Sequence, residues 1–179
     1  GKAVHFRKEG IAMPRDAGNL NFDKFTALLL EFNPERVIFL GDLFHSDYNP
    51  VWDEFGMLVS RFESLQIDLV VGNHDILDKS AYESFGIGLL EEPYSLAPFL
   101  LSHHPMEVVP DPYYNLAGHV HPSVVLHGPA KQGMRLPCFA FGRDKGLLPA
   151  FGALTGSATI QPQAGDQIFV IADDQVMRV

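Results

Sequence analysis

The spacing of hydrophobic residues predicts two helices in the first half of the chain. Between residues 21 and 32, large apolar side chains recur every three or four positions, as on one face of a helix, and Pro34 follows. Residues 50–64 repeat this spacing. Each predicted helix is followed by a short apolar run typical of a buried strand, at residues 36–40 and 67–71. Strands that alternate with helices predict parallel pairing, with the helices packed on the sheet.

After Gly88 the pattern changes to short β-rich runs separated by turns, many of them rich in Pro and Gly. The candidate strands are residues 94–96, 99–102, 113–117, 124–126, 138–142, 146–148, 167–172 and 176–179. These runs predict a mostly β second half with antiparallel pairing. Together the halves predict an α/β fold, a four-layer αββα sandwich in which helices flank two mixed β-sheets. No repeat or linker divides the chain, so residues 1–179 are interpreted as a single domain.

Composition narrows the classes of function. The chain has 179 residues, of which 46% are hydrophobic and 20% charged, as is typical of a soluble globular domain. No apolar run is long enough to cross a bilayer, so we expect no membrane partner. Cys138 is the only cysteine, which excludes an internal disulfide and favours a cytoplasmic location. The formal charge of −9 argues against a broad basic face, but carboxylates gathered around cations are compatible with a phosphate substrate.

Four polar clusters each follow a strand-like run. They are Gly41-Asp42, Gly72-Asn73-His74-Asp75, Ser102-His103-His104-Pro105 and Gly118-His119-Val120-His121. We expect them at the carboxyl edge of a sheet, where ligands bind in α/β proteins. Carboxylate, amide and imidazole ligands suit divalent ions such as Mn²⁺, Fe²⁺ or Zn²⁺. Taken singly, each cluster is more easily a turn or a surface loop. Their shared placement after strands, and the five of eight histidines they contain, favour a metal site.

The ordered motifs Gly-Asp, Gly-Asn-His-Asp, His-x-Pro and Gly-His-x-His resemble those of the calcineurin-like metallophosphoesterases. The resemblance implies the calcineurin-like phosphoesterase fold and hydrolysis of phosphodiesters with two divalent metal ions. Mn²⁺ is the first expectation, and Fe²⁺ or Zn²⁺ are alternatives. Asp42 would bridge both metals, and His121 would bind only the second. The ligands of the first metal, besides Asp42, would be Asn73, His103 and His119.

The same resemblance implies catalytic roles for two residues of the second cluster. His74 would be the non-ligand histidine beside the leaving group, oriented by Asp75. The family's ligand stands two residues before the proline, so His103 takes that role and His104 becomes a substrate-facing or packing candidate. Further candidates to contact substrate phosphates are Lys2, Arg7 and Arg143. Solvated surface cations are an equally good interpretation of these three side chains.

A closer resemblance is to the ligase-associated DNA-damage-response endonuclease branch of this superfamily, the PdeM-like proteins. It rests on GKAVHFRKEGIAMP at residues 1–14, GDLFHS at residues 41–46, and LPAFG followed by TG within residues 148–156. The branch implies cleavage of DNA during repair, in association with a DNA ligase and a helicase. One alternative is hydrolysis of small phosphoesters by the same fold. The other is a non-catalytic scaffold that keeps the fold but not the metals.

One expected motif is absent. The superfamily begins with a strand that ends in Asp-x-His, two further ligands, whereas this chain starts at Gly1-Lys2. We therefore expect the natural protein to have roughly ten to twenty more residues before Gly1, about one strand and its loop. The segment around Asp16–Asn19 is also shorter than we expect for this branch.

Overall fold

The computed structural model describes residues 20–43, 50–128, 132–152, 155–173 and 175–179. Within these ranges the first half of the chain alternates helices and strands, and the second half is built from strands. The protein is therefore a mixed α/β structure with two sheets, which confirms the predicted fold class at this level. No helix in the described ranges is long and apolar enough to span a membrane.

The first half of the described chain forms a three-stranded sheet with helices beside it. Its elements are α1 Leu20–Phe32, β1 Arg36–Phe39, α2 Pro50–Val59, β2 Gln66–Val70, α3 Lys79–Ser84 and β3 Ile87–Leu90. The strands pair in parallel in the order β1-β2-β3, as their alternation with helices predicts. The sequence pattern did not predict α3 or β3, which are only six and four residues long.

Helix α1 shows how the apolar spacing is used. Phe25 and Leu29 lie one turn apart and are both buried, in a core that also includes Phe55 of α2 and Ile67 of β2. Asn33 ends the helix with a φ of 42°, and its N–H donates to the carbonyl of Leu29 at 2.9 Å. A left-handed residue with this backward hydrogen bond is a common helix terminus.

The helix predicted over residues 50–64 ends at Val59 in the structure. The N–H groups of Arg61 and Phe62 donate three residues back, to Leu58 at 3.2 Å and to Val59 at 2.9 Å. These bonds tighten the chain into turns. Phe62 nevertheless packs against the same core, so the helical spacing of apolar residues continues beyond the end of α2.

The second half forms a nine-stranded mixed sheet. Its strands are β4 Tyr94–Leu96, β5 Phe99–Ser102, β6 Tyr114–Ala117, β7 Pro122–His127, β8 Gly133–Phe141, β9 Lys145–Leu147, β10 Ala158–Thr159, β11 Gln167–Ala172 and β12 Gln175–Arg178. The strand order is β10-β7-β8-β9-β6-β5-β4, and β11 pairs with both β8 and β12.

The antiparallel pairing predicted for this half is only partly correct. It is found for β4–β5, β7–β8, β8–β9, β8–β11 and β11–β12. It is wrong for β5–β6, β6–β9 and β7–β10, which pair in parallel. A parallel neighbour requires a connection that carries the chain back along the sheet. Residues 103–113 provide such a connection between β5 and β6.

The two sheets contact each other at both ends of their strands. At the carboxyl end of β1, the Nδ1 atom of His103 lies 2.8 Å from the carbonyl oxygen of Leu40. At the other end, Arg36 of β1 donates to buried Asp68 of β2 at 2.6 Å and to the hydroxyl of Tyr94 in β4 at 3.2 Å. All helices in the described ranges lie between residues 20 and 84. The outer helical layer expected on the second sheet therefore stays a prediction.

Candidate metal centre

The strands bring the four predicted clusters to one edge of the structure. Asp42 follows β1 and Asn73 follows β2, which run in parallel. His103 directly follows β5, and His119 lies two residues beyond β6, which is parallel to β5. Because each pair of strands ends at the same edge of its sheet, two pairs of side chains face each other across the sheet junction.

Three potential ligand atoms surround the Nε2 atom of His103. Asn73 Oδ1 and His119 Nδ1 each lie 3.0 Å from it, and Asp42 Oδ2 lies 3.5 Å from it. Ligands about 2.1 Å from a common cation stand roughly 3.0–3.4 Å from one another. The atoms of Asn73 and His119 therefore stand at ligand-like distances from Nε2 of His103, and that of Asp42 lies slightly further away. With His103 they belong to four of the five residues proposed as ligands from the sequence.

The tautomer of His103 supports this interpretation. The ring is completely buried, and its Nδ1 atom faces the carbonyl oxygen of Leu40, which can only accept a hydrogen bond. Nδ1 must therefore carry the proton, and in the neutral ring Nε2 offers a lone pair. Asn73 Oδ1 and Asp42 Oδ2 also offer only lone pairs, so their approach to Nε2 requires either a proton on Nε2 or a cation among the three atoms. A backbone carbonyl that orients a histidine in this way is usual for metal ligands.

The backbone is strained where it presents these ligands. Asp42, His119 and His121 have φ values of 54°, 47° and 48°, in the left-handed region that residues with a side chain seldom adopt. Gly41 precedes Asp42 with a φ of 88°, and a Cβ atom there would collide with the ring of His103. The tight turn after β1 therefore requires glycine at position 41 and aims the carboxylate of Asp42 at His103.

Asp75 has a role that the sequence did not predict. Its carboxylate accepts hydrogen bonds from the backbone N–H groups of Asp42 at 2.7 Å, Gly72 at 2.8 Å and Leu43 at 3.0 Å. Burial raises the pKa of Asp75, although these three N–H groups act to lower it. The side chain thus joins the loop after β2 to the loop after β1. Orientation of His74 by Asp75 stays a prediction.

His74 lies on the exposed side of the same turn. Its backbone N–H donates to Oδ1 of Asp42 at 2.9 Å. The Asp42 and Asp75 carboxylates therefore hold each other's loops, and both contacts leave the imidazole of His74 exposed beside the centre. The role of a non-ligand histidine beside the leaving group, expected from the resemblance, stays a prediction.

The two histidines of the fourth cluster remain close to each other. Burial lowers the pKa of His119, and the neighbouring His104 and His103 lower it further. Asp42 acts to raise this pKa, but the net shift is downward and favours the neutral ring, the form in which imidazole binds a cation. His121 is near enough to contribute to the same shift. Its carbonyl oxygen accepts the N–H of Ala158 in β10 at 3.0 Å, which fixes the backbone of this turn.

His104 also lies at the centre, and with His103 and His119 it forms a group whose nitrogen atoms are close enough to hold a metal ion. The His104 ring lies 4.3 Å from that of His119, measured between centroids. Its Nδ1 atom is 3.3 Å from a carboxylate oxygen of Glu92. The His104 ring therefore lies between Glu92 and His119. Its role as a substrate-facing or packing residue stays a prediction.

Three supporting residues were not identified from the sequence. Glu92 accepts the backbone N–H of His103, and the buried Asn115 accepts the N–H of Met106 at 3.0 Å. Lys145 donates to the carbonyl oxygen of Met106 at 2.6 Å. Of the three, Asn115 carries a detectable signal, because it is a polar residue inside an apolar strand. Glu92 lies in the connection before β4 and Lys145 is the first residue of β9, and neither carries such a signal.

The cationic candidates are placed differently. Arg143 is exposed in the turn before β9, whose other end, Leu147, pairs with Ala117 just before the centre. The structure therefore does not bring Arg143 into the cluster, and it sits about a strand's length away. Lys2 and Arg7 lie outside the described residues, so their roles stay predictions.

Comparison with solved structures identifies one informative relative. The chain is similar to the crystal structure of the Pseudomonas putida nuclease MPE, with 31% sequence identity and a TM-score of 0.79. The match covers 95% of this chain and 82% of that one. Comparisons with protein-family profiles and with curated proteins give no match.

Proposed function

Because the chain belongs to the family of the Pseudomonas putida nuclease MPE, we propose that it is a metal-dependent nuclease that hydrolyses phosphodiester bonds in DNA. We further propose that it is a calcineurin-like phosphoesterase that uses two metal ions and has the four-layer fold of that superfamily. Within the superfamily we place it in the ligase-associated repair branch. The observation that carries it is the convergence of Asp42, Asn73 and His119 on the Nε2 atom of buried His103.

In this proposal Asp42, Asn73, His103 and His119 hold one divalent cation, while Asp42 and His121 contribute to a second. Mn²⁺ suits this mixture of oxygen and imidazole ligands, as do Fe²⁺ and Zn²⁺. Divalent cations bound in such sites lower the pKa of a water molecule and offset the negative charge that develops on the phosphoryl group. The contribution of the chain is to hold the ligands at fixed spacing before substrate arrives.

His74 is the residue best placed to act on the leaving group. Its ring is exposed next to Asp42, and the hydrogen bond from its backbone N–H to Asp42 keeps it there. We assign it the donation of a proton or hydrogen bond to the oxygen that departs from phosphorus. Asp75 holds the loop beneath it through three backbone N–H groups. Association with a ligase and a helicase remains a prediction from the resemblance alone.

A second candidate function is hydrolysis of small phosphoesters. The net charge of −9 favours it, because polymeric nucleic acid is repelled by acidic surface outside the metal site. The two functions share the metal centre and differ in whether the surface around it accepts a long polyanion.

The test compares cleavage of single-stranded DNA with hydrolysis of bis(p-nitrophenyl) phosphate at one Mn²⁺ concentration. We expect both to be cleaved, with DNA preferred, and His119→Ala to lose both activities and most of its bound Mn²⁺. His127→Ala is the matched control, because His127 is exposed at the far end of β7. Hydrolysis of the small diester without DNA cleavage would favour the second candidate. Mn²⁺-independent activity, or none in the presence of bound Mn²⁺, would refute the proposal.

A further inference from the structure

We infer that Glu92 is a positioning residue of the metal centre, which fixes the His103–His104 peptide and so holds the imidazole of His103 in place. The inference rests on the proposed function, since it assigns a role within the same centre. Glu92 belongs to none of the four motif clusters, and it lies in the connection between β3 and β4, where the chain passes from the first sheet to the second.

Glu92 makes three contacts with this loop. Its Oε2 atom accepts the backbone N–H of His103 at 2.6 Å and that of His104 at 3.2 Å. Its Oε1 atom lies 3.3 Å from Nδ1 of the His104 ring. One carboxylate thus holds two consecutive backbone N–H groups and one imidazole.

These contacts matter because of where they occur. Strand β5 ends at Ser102, so the N–H groups of the next two residues lie beyond the strand and need another acceptor. The carbonyl oxygen of His104 is held separately, because the hydroxyl of Ser102 donates to it at 2.6 Å. Ser102 belongs to the loop itself, whereas Glu92 is a distant anchor that sets the loop's position relative to the sheet junction.

The contact with His104 has a further consequence for the centre. A carboxylate that faces one nitrogen of an imidazole orients the ring and leaves the other nitrogen available. Glu92 therefore fixes His104 against His119, whose ring centroid lies 4.3 Å away. Partners of this kind, which touch a metal site only through its histidines, typically change metal affinity by roughly 10- to 100-fold when removed.

The test is a titration of the metal-free protein with Mn²⁺, followed by electron paramagnetic resonance of the free ion, on Glu92→Ala, Glu92→Gln and Glu91→Ala. We expect Glu92→Ala to weaken Mn²⁺ binding by about tenfold or more. Glu92→Gln should keep part of the wild-type Mn²⁺ affinity, because the amide oxygen of glutamine can still accept the two N–H groups. Glu91 is the exposed neighbour of the same charge, and its variant should bind as the wild type does.

Melting temperatures of the metal-free proteins separate positioning from simple stabilisation. Positioning predicts that Glu92→Ala loses Mn²⁺ affinity while its metal-free melting temperature stays close to that of the wild type. Equal Mn²⁺ affinity in wild type and Glu92→Ala would overturn the inference and leave the proposed function intact. A metal-free melting temperature that falls in parallel with affinity would also overturn it. Failure of the wild type to bind Mn²⁺ would instead refute the proposed function, and this inference with it.

Discussion

The loops that carry the proposed oxygen ligands and those that carry the proposed nitrogen ligands are held in different ways. In the first half, the carboxylates of Asp42 and Asp75 tie the loops after β1 and β2 to each other, since each accepts a backbone N–H from the other's loop. In the second half, the loop that carries His103 is held by side chains from outside it, namely Asn115 in β6 and Glu92 in the β3–β4 connection.

This difference predicts how Mn²⁺ binding responds to substitutions in each half. Two carboxylates that hold each other's loops form one unit, so the loss of either loosens both ligand-bearing turns of the first half. The His103 loop has several independent anchors, with Lys145 as a third. Loss of Asn115 or Lys145 leaves Glu92 bonded to the backbone N–H of His103, so in this half only the loss of Glu92 itself should weaken Mn²⁺ binding strongly. We therefore expect the first half to be the more sensitive part of the metal centre.

The largest expected effect is that of Asp42→Asn. The amide keeps the shape of the side chain and can still accept the N–H of His74, which lies 2.9 Å from Oδ1. It removes the only carboxylate among the three side chains that surround Nε2 of His103. We expect DNA cleavage to fall by more than about 100-fold, because removing even the partners of metal ligands costs roughly 10- to 100-fold.

Steady-state cleavage of single-stranded DNA, with Mn²⁺ binding measured in parallel, checks this. Asp78→Asn is the matched control, since Asp78 is exposed and makes no side-chain cap hydrogen bond at the start of α3. Activity within tenfold of the wild type would show that Asp42 is not a ligand.

Asp75→Ala should have the second-largest effect. Its loss leaves three backbone N–H groups without their acceptor, and an unpaired buried group costs about 1–3 kcal/mol. Because the ionised carboxylate is itself penalised by burial, we expect a net loss of about 2 kcal/mol in the free energy of unfolding. Mn²⁺ affinity should fall by roughly 10- to 100-fold, since the backbone of Asp42 is released. Urea denaturation and Mn²⁺ titration measure the two effects, and unchanged affinity would contradict the joint role of the two carboxylates.

Asn115→Ala tests the other side of the comparison. Asn115 is completely buried and bonds Leu100, Ser102 and Met106. We expect a loss of about 2 kcal/mol in the free energy of unfolding, similar to that of Asp75→Ala. Mn²⁺ affinity should nevertheless change by less than about threefold, because the other anchors of the loop remain, and that factor corresponds to under 1 kcal/mol. An affinity loss as large as that of Asp75→Ala would remove the distinction between the halves.

The predictability of the two halves differs for a related reason. In α1, β1, α2 and β2 the apolar spacing follows from burial in one core, so pattern and structure agree. In the second half the same reasoning located most strands, but the direction of β6 and β9 depends on which strand each lies beside. That choice is made by contacts distant in sequence, which a local pattern does not contain.

The residues of the candidate site also differ in how well the sequence predicts them. The residues proposed as ligands fall in recognisable clusters after strands, and the structure brings the side chains of Asp42, Asn73 and His119 close to that of His103. Residues that hold those ligands act through backbone groups, and any acceptor at the right position can do this. Glu92 looks like any acidic turn residue until its distance to the His103 N–H is known.

The smallest expected effect is that of Arg143→Ala. This variant tests how far the substrate-binding surface extends from the proposed metal site. Arg143 lies in the turn before β9, away from the end of that strand that meets the centre, so a small diester bound at the proposed metal site should not reach it. Hydrolysis of bis(p-nitrophenyl) phosphate should be unchanged. A long DNA strand extends further, and one exposed contact to phosphate is worth at most about 1 kcal/mol, or roughly fivefold in cleavage rate at limiting substrate. The measurement is kcat/KM for both substrates at two salt concentrations. A loss with the small diester would mean that Arg143 contacts the centre directly, whereas a loss confined to DNA and reduced by salt would mark the path of the strand across the second sheet.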